Sequence, residues 1–500
     1  MAREVGQNKV FFIDWLPVYA GHLRYEAGSG GFSSFAIPQG VRLVVERPEK
    51  SPTWLKSDMP WEDRDIHGYF TVMYDGGRYR LWYEAIGSYF EKESDDYGLR
   101  LCYAESSDGY HWNKPRLGVV SYRGRKDNNI VYDGYVGHKF GYAGGTVFID
   151  PVVPPEERYK LIYTGSVSSI KKAMIRGATS PDGIHWNAFR EPLFDDYCSD
   201  TQTTAHYDPR LRSYVGYYRQ WSEDGRRGIA RATTKDFRLW PRPVMVLLLD
   251  GSNDHPCHDL YTNAHVLYQS AVPDEPTDPD NPSNEGAAIL PFHTDVHLMF
   301  PAQYTREKDS LEVHLATSRD GIRWHYWADE PLVALEHSGD SQEGSVYAAC
   351  GLVPLGENKI AIAYVAYSVT HNDARFEQVS DQASRMGTYH WAIWEKDRLV
   401  AIEAESMGSF STPELKLCGR RLMMNLRTEV AGEVRVQLRR AYKDEIIPGH
   451  TFADSDPIRG NQPCATVTWR GKADLADIVG QPLQVELRMR AARLYTFWAE

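Results

Sequence analysis

Acidic residues stand in front of tyrosine-rich apolar runs at four places in this 500-residue chain. "PWEDRDIHGYF" (60–70) carries Glu62, Asp65 and His67, and "YCSDTQTTAHY" (197–207) carries Asp200, Gln202 and His206. "NDHPCHDLYTNAH" (253–265) carries Asp254, His258 and Asp259, and "HSGDSQEGSVY" (337–347) carries Asp340, Glu343 and Tyr347. A fifth such segment, "VGHKFGYAGG" (136–145), offers His138 and Lys139 but no acid. Carboxylates gathered in one pocket cannot all ionise easily, so one is pushed toward keeping its proton while another stays charged. That division of labour suits cleavage of a glycosidic bond, which needs a proton donor at the leaving oxygen and a carboxylate on the other side of the anomeric carbon. Trp61, Tyr142, Tyr261 and Tyr347 lie close in sequence to these groups, where their rings could stack on a sugar.

The histidines raise a second chemistry. His67, His206, His258 and His265 could meet, but none shows the i, i+4 spacing of a helical metal site, and "HTDVH" (293–297) adjoins a Pro/Asp-rich loop. The expectation is therefore no metal and no cofactor, with histidines hydrogen-bonding sugar hydroxyls.

Acids so far apart along the chain converge only if the fold brings them together. "SSDGYHW" (106–112), "TSPDGIHW" (179–186) and "TSRDGIRW" (317–324) repeat one phrase, and "TTKDFRLW" (233–240) repeats it without the glycine. Each follows an apolar strand, a turn, a tyrosine-rich strand and a third strand, as in "YFTVMYDGGRYRLWYEA" (69–85) followed by "LRLCYAES" (99–106). A period above about 40 residues built from four strands predicts the blade of a β-propeller. A fifth unit (344–404) lacks the phrase. Within the phrase, Asp accepts turn amides, Gly takes a positive φ and Trp anchors the turn, so its role is structural. Asp150 in "FIDP" is likewise assigned to a turn.

The expected architecture is all-β: an N-terminal extension (1–59) packing on the propeller, a five-bladed catalytic propeller (60–404) and a C-terminal β-sandwich (405–500), whose strands alternate apolar and polar residues. The innermost strands of a closed ring line its axis, so their starting ends form one pocket mouth. The loop over 271–291 is long enough to cover it.

Composition agrees, with 31 Tyr, 14 Trp, 40 Gly and 28 Pro. A net charge of −12 and a pI near 5.8 disfavour a nucleic-acid or anionic-membrane partner. No apolar run reaches the roughly 18 residues of a membrane span, and the first residues lack the pattern of a secretory leader. A cytoplasmic location is expected as the sequence stands, and a secreted or periplasmic one if a leader has been trimmed. The six cysteines form no C-x-x-C pair, so neither a disulfide scaffold nor a zinc knuckle is expected. Oligomeric state is left open.

With these features the chain resembles the five-bladed propeller glycoside hydrolases, the group of invertases, levanases, arabinanases and arabinofuranosidases. The resemblance spans about residues 60–404, and the C-terminal region is similar to the sandwich of invertase-like members. It implies three acids on inner strands: a base or nucleophile, an aspartate that holds substrate or tunes the acid, and a glutamate acid. "FFIDWLP" (11–17) carries only Asp14 in place of the invertase Trp-Met-Asn-Asp-Pro segment, so the acids are expected on other blades. The assignment is Glu343 as general acid, Asp200 as base or nucleophile and Asp259 as tuner. Asp65, His67, Glu62, Trp61, His138, Gln202, His258, Tyr261 and Tyr347 are expected to line the substrate site. The expected reaction is hydrolysis of a terminal bond, a furanoside among the candidates. The alternatives are phosphorolysis, with Lys139, His138 and Arg64 as phosphate ligands, and sugar binding without catalysis.

Overall fold

A computed structural model describes residues 3–26, 30–87, 98–134, 141–167, 172–249, 257–268, 296–338, 341–373, 387–441 and 445–500. His138, Lys139, Asp254, Asp340 and the loop over 271–291 lie outside these residues. The protein is all-β, and among the described residues helix is limited to short 3₁₀ turns.

Among the described residues, most strands between 49 and 395 group into five antiparallel units, the first and fifth of which are bridged into one larger sheet. The first runs Asp65–Asp75, Arg78–Ile86, Leu99–Ser106 and Trp112–Asn113, and the second Ala143–Ile149, Tyr159–Val167, Lys172–Ser180 and Asn187–Ala188. The third runs Thr204–Asp208, Ser213–Trp221, Arg227–Thr234 and Val244–Leu247. The fourth runs Ala264–Tyr268, Val296–Phe300, Leu315–Ser318 and His325–Trp327. In the fifth, Ser345–Pro354, Lys359–Tyr367 and Gly387–Glu395 are completed by Glu49–Lys50 and Leu55–Lys56 from the N-terminal region. The fifth unit lacks the Asp-Gly phrase because its outer strand comes from elsewhere in the chain.

The first strands of successive sheets border one another in a closed circuit, the fifth returning to the first through a bridge between Cys350 and Thr71. Their side chains enclose an axial cavity of about 370 Å³, to which each of the five contributes, including Thr71, Thr146, His206, His265 and Cys350. Pro301, which has no N–H for the ladder, stands between Val296–Phe300 and Ala302–Thr305 and ends the first of them. Ala302–Thr305 instead pairs with His258–Leu260 and Ser310–Val313 in a separate hairpin layer.

The repeated phrase builds turns that staple neighbouring sheets. In the second sheet, the Gly183 amide donates to Ser180 Oγ at 2.9 Å, and the Ile184 and His185 amides donate to Asp182 Oδ1 at 2.8 and 2.9 Å. Gly183 has φ of +77°, and an added Cβ would stand 2.5 Å from Trp82 Cζ2. Trp82, in the first sheet, donates to Gly183 O at 2.6 Å. Trp391 of the fifth sheet does the same to Gly109 O at 2.9 Å, and Tyr217 of the third to Gly321 O at 2.9 Å. Each of these turns is thus latched by the preceding sheet of the ring.

Burial pushes the Asp182 carboxyl up, but the His185 and Ile184 amides, the His185 ring and Ser180 pull it down further, to about 2. A depressed carboxyl stabilises the fold above its unfolded value and loses that contribution as pH falls through the folded one. The thermal midpoint of Asp182→Asn is therefore expected to fall less steeply than the parent's between about pH 4 and pH 2. Melting both proteins across that range checks this, and parallel curves would contradict it.

The C-terminal strands pair as one nine-stranded sheet. Its long strands, Val400–Ser411, Leu422–Arg440 and Pro482–Ala499, bend at bulges near Ala404, Thr428 and Glu433 and wrap a core that includes Phe12, Phe410, Leu438, Trp469 and Leu487. Arg3–Val5, Val10–Phe11 and Arg42–Val45 belong to this sheet too. Residues 1–59 are thus shared among the C-terminal sheet, the fifth sheet of the ring and a hairpin of His22–Glu26 with Gly31–Phe35.

Candidate functional site

Aromatic and charged groups converge where the inner strands begin. Tyr69 of the first sheet faces Tyr347 of the fifth, with ring centroids 6.4 Å apart, and Tyr347 faces Tyr261 at 6.1 Å. Tyr261 meets His371 edge-on at 4.4 Å, and His371 Nδ1 lies 2.8 Å from the Tyr347 hydroxyl. Thr201 ties the third sheet in, its hydroxyl lying 3.2 Å from both Tyr69 Oη and the Tyr261 carbonyl, which accepts from it.

Two carboxylates belong to this mouth. Asp200 is exposed, and its Oδ1 takes a 2.7 Å hydrogen bond from Arg219, whose buried guanidinium also donates to Tyr261 O and lies 4.1 Å from the Tyr261 ring. Glu84 is fully buried. One oxygen lies 2.6 Å from His67 Nδ1, and the other accepts the Gly144 amide at 2.9 Å. Gly144 in turn abuts the Thr201 carbonyl, where an added Cβ would come within 2.4 Å. Glu84, His67, Thr201 and Asp200 are therefore consecutive neighbours around the mouth, and a glycine is required between them.

Burial governs the electrostatics. It holds Tyr69 and Tyr347 well above the ordinary phenol range, so both remain neutral hydroxyls. It lowers His371 to about 4, against the pull of Asp309, which leaves that ring neutral at pH 7.

The remaining expected site residues have other neighbours. Asp259 is fully buried, receiving Arg227 at 2.8 Å and both Nε and Nη2 of Arg306 at 2.9 and 2.7 Å. Burial raises its pKa, but those arginines and the Arg227 amide hold it below the carboxylate norm. It aims Arg227 across Tyr261 and Trp221, at 5.4 and 4.4 Å. Glu343 accepts the Glu336 amide at 2.8 Å, and its charge bears on Tyr364 along the flank of the fifth sheet. Glu62 is buried under the first sheet, bonded to Lys114 at 2.8 Å, Tyr83 at 2.5 Å and the Asp58 and Met59 amides.

Trp61 donates to Asn129 and lines a separate cavity of about 400 Å³ with Lys114, Arg116, Arg123 and Arg125. Asp65 takes the Ile66 and Gly387 amides and so fastens the first sheet to the fifth. Gln202 is fully buried and reaches across the axis to Ala348 O at 3.3 Å, making a floor beneath the mouth. His258 sits in the hairpin layer opposite Thr305. Of the expected residues, the mouth unites His67, Asp200, Tyr261 and Tyr347. Asp150 closes a turn, accepting the Val152 amide and the Tyr214 hydroxyl.

Glu84, Tyr69, Arg219, Arg227 and His371 were not among the expected residues. The signal for Glu84 is its position in "RLWYEAI", an acid inside a strand otherwise apolar enough to be buried, which requires a specific partner. The histidines are also grouped differently. His206 and His265 do meet, but their third neighbour is His297, which is buried, while His67 belongs to Glu84.

No family model matches the chain, and no curated protein matches it. Among solved structures it is similar to an N-acetylgalactosamine deacetylase from F. plautii in complex with blood group B trisaccharide, at 15% identity and a TM-score of 0.44 over 72% of this chain and 97% of that one. It is similar to the catalytic domain of an α-L-arabinofuranosidase from Coprinopsis cinerea, at 12% identity and a TM-score of 0.42 over 69% and 96%. A thermostable family-43 glycoside hydrolase matches at 13% identity and a TM-score of 0.41 over 68% and 92%.

Proposed function

We propose that this protein is a glycoside hydrolase that cleaves a terminal glycosidic bond at the mouth of the ring. The observation that carries the reading is that an exposed carboxylate, Asp200, held by Arg219, and a Glu84–His67 pair are linked through Gly144 and Thr201, beside the ring contacts of Tyr69, Tyr261 and Tyr347. In this reading Asp200 acts as nucleophile or base at the anomeric carbon, and Arg219 fixes its orientation. His67 delivers the proton to the leaving oxygen, with buried Glu84 placed 2.6 Å from its Nδ1. Tyr69, Tyr261 and Tyr347 supply the faces and hydroxyls that hold a sugar. The proton-donor role thus moves from Glu343 to His67, and Asp259 positions Arg227.

One observation favours phosphorolysis as a second reading. Arg219 and Arg227 both lie near the Tyr261 ring, so two guanidinium groups, each shared with an aspartate, stand where a phosphate would have to be held.

A panel of aryl glycosides and oligosaccharides, each incubated with and without inorganic phosphate, separates the readings. Hydrolysis predicts sugar release without phosphate, lowered in Glu84→Gln by about a hundredfold or more. Release that depends on phosphate selects phosphorolysis, and binding without release of any sugar overturns both.

A further inference from the structure

Past the floor made by Gln202, the inner strand of the third sheet and the first two strands of the fourth carry a group with no part in the mouth. We propose that His206, His265 and His297 bind one divalent transition-metal ion of the zinc class, with an open ligand position toward the axial cavity. Their ligating nitrogens all lie within 4.8 Å of one another, and this is the one such group among the described residues. His265 Nε2 and His297 Nδ1 stand 3.2 Å apart, close to the separation of about 3.4 Å that two nitrogens adopt on a tetrahedral zinc. His206 Nε2 is a buried nitrogen with no hydrogen-bond partner. Its ring centroid is 4.6 Å from that of His265, so a modest turn of one side chain completes a three-nitrogen face.

The surroundings support a built site. His206 and His265 line the cavity of about 370 Å³, which has room for a water as fourth ligand, whereas His297 comes from the second strand of the fourth sheet. Behind them Trp324 presses edge-on against His265 and His297, at 6.0 and 6.4 Å. The Gly321 turn closes over His297, whose Cε1 would be 3.0 Å from an added Cβ. Arg231 opposes a cation here, and buried Asp208 offsets it. Ligands that are all imidazole select zinc, cobalt, nickel or copper over calcium or magnesium, which demand oxygen. An ion held this way joins the third sheet to the fourth, independently of any chemistry at the mouth.

The test uses the full chain, stripped with a chelator and titrated separately with Zn2+ and Co2+. The expected result is one equivalent per chain, a higher thermal midpoint with Zn2+, and visible d–d bands of a four-coordinate ion with Co2+. His206→Gln and His297→Gln are each expected to weaken Zn2+ binding more than about tenfold, a loss seen even when an outer-shell partner is removed. Should His297→Gln fail to fold, His206→Gln decides, because its ring is only partly buried. Absence of saturable uptake, or uptake that His206→Gln leaves unchanged, overturns the site and leaves three histidines joined by ring contacts and by a His265–His297 hydrogen bond.

Discussion

If the proposed hydrolysis holds, Asp200→Asn is expected to cleave a glycoside roughly a thousandfold more slowly than the parent, within the range that loss of a positioned acid, base or nucleophile produces. Its thermal midpoint should hardly move. The carboxylate is exposed, and an asparagine oxygen can still accept from Arg219, which keeps its contacts to Tyr261 O and the Tyr261 ring. A stability cost below about 1 kcal/mol follows for such a surface change. Initial rates measured beside thermal melts separate the two effects. Unaltered turnover would remove Asp200 from the mechanism, and a large fall in midpoint would recast it as an anchor for Arg219.

The second large effect runs the other way. Asp259→Asn deletes the charge that Arg227 and Arg306 share while leaving the side chain's volume. Breaking a buried ion pair from one side is costly because the partner's charge stays uncompensated. Both guanidiniums reach water in part, at 21% and 38% exposure, so the loss is set at about 2–3 kcal/mol, below the full cost of a dry pair. Denaturant melts at pH 7 measure it directly. Substrate affinity should weaken as well, since Arg227 lies over Tyr261 only while Asp259 aims it. Lost turnover at undiminished stability would instead restore the tuning role that the sequence suggests for this aspartate.

What could be read without the structure was mostly local. Turn chemistry is written in a few adjacent residues, so the serine, aspartate, glycine and tryptophan of the repeated phrase declare their bonding pattern directly, and Asp182 and Gly183 have it. Strand periodicity carries the all-β class in the same way. Site geometry depends on distant partners. Glu62, Asp65 and Asp259 look like Asp200 in sequence, each an acid before an apolar run, but Lys114, the Gly387 amide and Arg306 claim the first three. Only the ring closure decides which acid is left for a substrate. Glu84 was hidden because it sits in a second strand, and its approach to His67 depends on the register shift between Ile66 and Phe70 in the first strand's pairing. His297 was hidden for a similar reason, since nothing in "HTDVH" reveals that the strand starting there turns its histidine inward against His265.

The pairing of Val10–Phe11 with Thr496–Phe497, and of Glu49–Lys50 and Leu55–Lys56 with the last inner unit of the ring, bears on biosynthesis. Segments translated first must wait, with their ladders unmade, until partners more than 300 residues later leave the ribosome. Loop-closure entropy for such spans grows only slowly with length, so the final pairing is thermodynamically cheap. The hazard is kinetic: nascent edges stay open to other chains until these partners are made, which makes assembly most vulnerable just before residues 482–499 arrive.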